Sequence, residues 1–197
     1  VGIFMEVRHL PEIEWSKGGG SIIVHVLDFI NSGTMTVPLG FQVDALSSLF
    51  LLVITGVGFL IHLYSIAYMD PEDGYVKYFS FLNLFVFSML LLVLGANYLV
   101  MFTGWEGVGL CSYLLIGFWY TRPTAIYANL KAFLVNRVGD FGFLLGIGLV
   151  LAYFGTMNYA DVFAHPDLQK LAGTTIANLP GSPNVITAAC IGLFIGA

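Results

Sequence analysis

Residues 98–119 read YLVMFTGWEGVGLCSYLLIGFW. This run of 22 residues contains a single charged side chain, Glu106. As a helix at about 1.5 Å per residue it crosses roughly 30 Å of hydrocarbon. The neighbours repeat the pattern. Residues 132–154 form a 23-residue apolar run holding Arg137 and Asp140. Residues 79–96 and 45–67 carry no Asp, Glu, Lys or Arg, and a further apolar run starts near 184. Backbone in lipid must satisfy its own hydrogen bonds, and runs of this length do so as helices. The fold class is therefore all-α, a polytopic transmembrane helix bundle. Its domain, 44–197, has four complete spans at about 44–69, 77–96, 97–120 and 125–154, with a fifth beginning near 184.

Composition agrees. The 197 residues are 58% hydrophobic and only 10% charged, and mean hydropathy is +0.88. Soluble domains are about 25% charged, so a soluble enzyme, a disordered chain and a disulfide scaffold are excluded. The net charge of −5 speaks against a nucleic-acid partner, which calls for a basic surface. The first residue is Val1, no signal peptide is legible, and residues 192–197 are apolar. The chain reads as a piece of a longer membrane protein.

Residues 1–43 mix polar and apolar types and read as an extramembrane, periplasmic or intermembrane segment. Gly18-Gly19-Gly20 reads as a turn. Residues 21–27 and 34–41 look strand-like around Asn31-Ser32-Gly33, which predicts a β-hairpin. Asp44 caps the first span. Gly95-Ala96-Asn97 is so short that the second and third spans form a tight antiparallel pair. Residues 155–183 form a polar loop with a short helix near 160–171. The loops at 70–78 and 121–131 hold Lys77, Arg122 and Lys131, against Lys17 and Lys170 on the other side. That bias places the first set in the cytoplasm or matrix.

Charge inside a membrane is expensive and commonly functional. Glu106 lies about eight residues into its span, or roughly 12 Å deep. Burial favours the neutral acid and a nearby cation the charged one, so a group between those pushes loads and releases protons. Alternatively it is a protonated hydrogen-bonding residue that glues helices. Arg137 and Asp140, at i and i+3, share a face and pair, either as a structural ion pair or as a switch that opens. The two helices run in opposite directions, with Glu106 nearer one face and Arg137 nearer the other. A water or another residue is expected between them. Lys131, at the start of the fourth span, either snorkels to the interface or joins the path. His62, inside the first span, relays protons or hydrogen-bonds a neighbour. Gly142-x-x-x-Gly146 is a small-residue packing face. Cys111 and Cys190 fall in apolar runs without ligand spacing, so no metal site is expected.

Residues 105–119 (WEGVGLCSYLLIGFW), Lys131-Ala132-Phe133 and Asn136-Arg137-Val138-Gly139-Asp140 resemble the chain L family (mitochondrial chain 5) of antiporter-like subunits of respiratory complex I. Residues 55–65 and 83–90 also match, and the resemblance covers about 43–160. Trp105-Glu106 is shared with Mrp-type sodium–proton antiporter subunits, which are the alternative. The resemblance implies the amino-terminal part of an antiporter-like fold at the distal end of the membrane arm. Energy from NADH-to-quinone electron transfer drives protons through it. Glu106 corresponds to the membrane glutamate that pairs with a lysine on a broken helix beyond Ala197. Arg137 and Asp140 match positions near the contact with the adjacent antiporter-like subunit. By the resemblance no cofactor binds this chain; FMN, iron–sulfur clusters and quinone belong to other subunits. The implied partners are those membrane-arm subunits, the bilayer and protons. The implied location is the bacterial inner membrane, alternatively the mitochondrial inner membrane.

Overall fold

The computed structural model describes residues 21–32, 35–176 and 183–197. The expected turn at Gly18-Gly19-Gly20 lies outside the described residues. Strands β1 (Ile22–Ser32) and β2 (Met35–Val43) pair antiparallel, from Ile22 opposite Val43 to Ser32 opposite Met35. Both run longer than their sequence pattern. Asn31 and Ser32 of the expected turn lie in β1, opposite Thr36 and Met35, while its Gly33 lies outside the described residues; register shifts at His25/Leu27 and Asp28/Ile30 interrupt the alternation.

Four long helices follow: α1 (Ala45–Met69), α2 (Tyr75–Leu94), α3 (Tyr98–Ile116) and α4 (Pro123–Phe154). All four apolar segments are long enough to cross a membrane. Asp44 caps α1, accepting the Ser47 amide at 2.7 Å while Ser47 Oγ accepts the Asp44 amide at 2.7 Å. The third span tightens into a 3-10 turn, Gly117–Trp119, after α3. Pro123 occupies the first turn of α4, where its missing N–H costs nothing. The helix therefore starts before the apolar run, and Lys131 lies in its third turn. Gly155, at φ 69°, ends α4 in the left-handed conformation that favours glycine.

The loop expected to hold one helix holds two, α5 (Tyr159–Phe163) and α6 (Leu168–Gly173). Pro166 between them lacks the N–H a continuous helix needs. Helix α7 (Val185–Gly196) starts at an Asn184 cap.

Asn97 pins the hairpin to the bundle. It is fully buried, donates from Nδ2 to the Pro38 carbonyl at 2.7 Å and accepts the Val100 amide at 2.9 Å. The Ala96 amide donates to Gly40 at 3.0 Å, and the Tyr98 amide to Met157 at 3.1 Å. The hairpin, the α2–α3 turn and the segment after α4 thus share one end. A core of Val150, Phe154, Val162 and Ala189 fills it. Burial, and then the neighbouring Tyr98, push the Tyr159 phenol up, so this ring stays neutral and packs edge-on to Tyr98.

Glycines set the helix spacing. A Cβ at Gly104 would collide with the Leu92 backbone, and one at Gly107 would lie 2.5 Å from Ser88 Oγ. Helices α2 and α3 therefore touch nearly backbone to backbone, as the short turn predicted. Gly142 and Gly146 do the same for α4 against Ile195 and Leu193 of α7.

Candidate functional site

With one face of α3 committed to α2, another faces α4. The two helices run antiparallel, with Tyr113 beside Phe133 and Phe102 beside Phe143. That register brings Glu106, at mid-helix, level with Arg137. Arg137 Nη1 donates to Glu106 Oε2 and, at 3.3 Å, to Asp140 Oδ2. The sequence expectation of a bridging group between Glu106 and Arg137 is thus corrected, because the contact is direct. Span depth alone misplaced the pair, since it ignored the α4 turns that precede the apolar run.

The cluster has further supports. Trp105 Nε1 donates to Asp140 Oδ1 at 3.2 Å. The Arg137 guanidinium lies 4.9 Å from the centre of the Phe133 ring, a cation–π contact one turn away on the same helix. Asp140 is the most enclosed member, its side chain 10% exposed against 28% for Glu106 and 43% for Arg137. One guanidinium thus serves two carboxylates, leaving formal charge −1 on the three groups. A cavity of about 250 Å³ opens beside them, lined on α3 by Glu106, Gly109 and Ser112 and on α4 by Asn136 and Arg137. Neither the Trp105 hydrogen bond nor the role of Phe133 was read from the sequence. The i+4 spacing from Phe133 to Arg137 is the signal for the latter.

The other candidates lie apart. His62 faces α2, its Nδ1 2.7 Å from the Gly58 carbonyl of its own helix and its ring 6.0 Å from Phe79. Lys131 is exposed and does not line the cavity. Cys111 is buried and Cys190 exposed, and both are free thiols. No group of three or more His, Cys, Asp or Glu among the described residues is placed to hold a metal.

Two family models match adjacent parts of the chain. Residues 29–79 match the NADH-ubiquinone oxidoreductase (complex I) chain 5 N-terminus, and residues 95–180 the NADH:quinone oxidoreductase/Mrp antiporter transmembrane family. Relatives include a protein named NADH-quinone oxidoreductase subunit L from Neisseria meningitidis, 51% identical over 176 residues, covering 88% of this chain and 26% of its own length. One of the same name from Mycobacterium tuberculosis is 52% identical over 139 residues, covering 71% of this chain and 22% of its own. The chain thus spans about a quarter of the length of these relatives. A solved chain of the Mrp complex from Dietzia sp. DQ12-45-1b superposes with a TM-score of 0.75 at 20% identity, covering 99% of this chain and 20% of that one. That likeness establishes the antiporter-like fold.

Proposed function

Because the chain belongs to the antiporter-like family shared by complex I chain 5 and the Mrp antiporters, we propose that it is part of a proton-translocating membrane-arm subunit of NADH-quinone oxidoreductase. Protons pass by way of Glu106, Arg137 and Asp140. The observation that carries this reading is the Arg137 guanidinium shared between two carboxylates of different helices.

Two partners for one cation make a two-state element. When Arg137 sits on Glu106, that carboxylate keeps its charge. When Arg137 turns fully to Asp140, the carboxylate left behind in a low-dielectric site takes a proton from the adjoining water. Motion of α3 against α4 by a small distance shifts the balance, and a proton loads or leaves. Trp105 holds Asp140 in place, and Phe133 offers the guanidinium a resting face. Lys131 and His62 stand outside this exchange: Lys131 is exposed away from the cavity, and His62 bonds the Gly58 carbonyl of its own helix. The chain supplies no redox group in this reading; FMN, iron–sulfur clusters and quinone sit in other subunits, and the drive arrives through the adjacent membrane-arm subunit. The host membrane is the bacterial inner membrane, in line with the bacterial relatives.

The test is Glu106→Gln in the full-length subunit within its assembled enzyme, reconstituted into liposomes. Fewer protons should cross per quinone reduced. An unchanged stoichiometry with the subunit present would overturn the role. A second reading, a subunit of an Mrp-type sodium–proton antiporter, draws on the shared transmembrane family. Co-purification with iron–sulfur subunits, against co-purification with small antiporter subunits alone, separates the two.

A further inference from the structure

The two carboxylates of the cluster are not supplied alike. Asp140 accepts from two helices at once, Oδ2 from Arg137 Nη1 at 3.3 Å and Oδ1 from Trp105 Nε1 at 3.2 Å. Glu106, the next residue of α3, has Arg137 as its single donor among the described residues. Successive residues of α3 thus offer opposite things to α4. Glu106 brings an acceptor to the cation, and Trp105 brings a donor to the anion. Trp105 and Arg137 therefore serve the same carboxylate, and whatever the indole satisfies the guanidinium need not.

The direction of that indole N–H is set by packing. Trp105 lies on the Phe143 ring at 5.7 Å and 18°, and Phe143 lies on Phe102 at 5.6 Å and 29°. Phe143 is buried and stands one turn after Asp140, and Phe102 stands one turn before Trp105. The stack holds the ring in place whether or not its hydrogen bond is made. An indole N–H is a donor only and does not titrate. It satisfies an ionised Asp140 and offers nothing to the O–H of a protonated one. Of the elements packed on these two helices, α2 carries one charged side chain, Lys77, which sits at its start over Phe81 and Tyr120. Helix α7 and strand β2 carry none. The balance lies among Glu106, Arg137, Asp140 and Trp105.

From this arrangement we propose that Trp105 is a positioning residue that sets which carboxylate holds Arg137. By occupying Asp140 Oδ1 it releases the guanidinium toward Glu106. The proposal rests on the reading of Glu106 as the proton-carrying group. When α3 moves and the N–H leaves Oδ1, Asp140 draws in Arg137, which is three residues away on its own helix and always within reach. Glu106 is then left without a donor. It takes a proton from water, one O–H bond forming on the carboxylate as one breaks in the water. A hydrogen bond from a neutral donor to an ionised acceptor is enough to change the ratio of the two arrangements by about tenfold. A small displacement of α3 is thereby converted into a change of partner.

The test removes the N–H and keeps the ring, in the full-length subunit within its assembled enzyme. Trp105→Phe does so with a smaller ring. Benzothienylalanine at 105, in which sulfur replaces the N–H, does so at nearly the same shape, so a packing defect in the first variant is recognised by its absence in the second. Infrared difference spectra read the C=O stretch of a protonated carboxyl, identified by its shift in D2O. Both variants should gain such a band, with the protonated share of Glu106 rising by about tenfold, and proton translocation should fall in both. Adding Glu106→Gln should abolish the new band. A benzothienylalanine variant that shows no new band, or whose band survives Glu106→Gln, overturns the proposal. Either result can occur while Glu106→Gln alone still lowers pumping, so failure of the Trp105 role is distinguishable from failure of the Glu106 assignment.

Discussion

The α1–α2 interface and the α3–α4 interface each hold an ionisable side chain at membrane depth, and they treat it in opposite ways. His62 satisfies Nδ1 on the Gly58 carbonyl of its own helix, and its surroundings are the apolar residues of a cavity of about 180 Å³ between α1 and α2. Its other nitrogen, Nε2, is buried and meets no partner among the described residues. Glu106 instead finds its partner on the next helix, and that partner is shared with a second carboxylate. A group bonded within its own helix is indifferent to how helices move. A group bonded across an interface responds to every shift of it. In the proposed exchange, the difference between a polar residue that is tolerated and one that switches lies in that placement, more than in depth.

This contrast yields outcomes that break or sharpen it. The largest effect belongs to Arg137→Leu, which strands two carboxylates. Removing one partner of a partly desolvated ion pair costs about 2–4 kcal/mol, and thermal unfolding of the purified protein should shift by several degrees while pumping is lost. Next comes packing. Gly104→Ala drives a Cβ into the Leu92 backbone and should destabilise the protein by about 1–3 kcal/mol, whereas Gly56, with nothing within 4 Å of its Cβ position, should accept alanine freely. Paired melting curves of the two variants measure the asymmetry between the α2–α3 seam and the outer face of α1. Smallest is His62→Leu. Stability should move by less than about 1 kcal/mol, and proton translocation should fall far less than in Glu106→Gln. A loss equal to that of Glu106→Gln would erase the contrast.

Much of the architecture could be read from composition and punctuation. Four uncharged or nearly uncharged runs became four helices, Asp44 became a cap, Gly142 and Gly146 became a packing face, and the two apolar strands became a hairpin. These features depend on residues near in sequence. What was not legible depends on register between distant segments. Glu106 and Arg137 are 31 residues apart, and their level across α3–α4 follows from a 3-10 turn and a proline start that hydropathy does not reveal. The same holds for Asn97, an ordinary turn residue in sequence, which proves to be the buried pin between hairpin and helix. Asn129 carries no sequence signal either; its amide nitrogen packs on Gly117, and its Oδ1 is buried with no hydrogen-bond partner among the described residues. The charged members of the site were visible one by one, as costly charges. Their joining through a single guanidinium was not.

In the proposed exchange Glu106 and Asp140 act as one unit through Arg137. A double-mutant cycle on proton translocation by the full-length enzyme tests it most directly, using Glu106→Gln, Asp140→Asn and the combination. The double variant should lose no more than the more impaired single variant, because either change already disables the exchange. Losses that multiply, as for two independent residues, would contradict it.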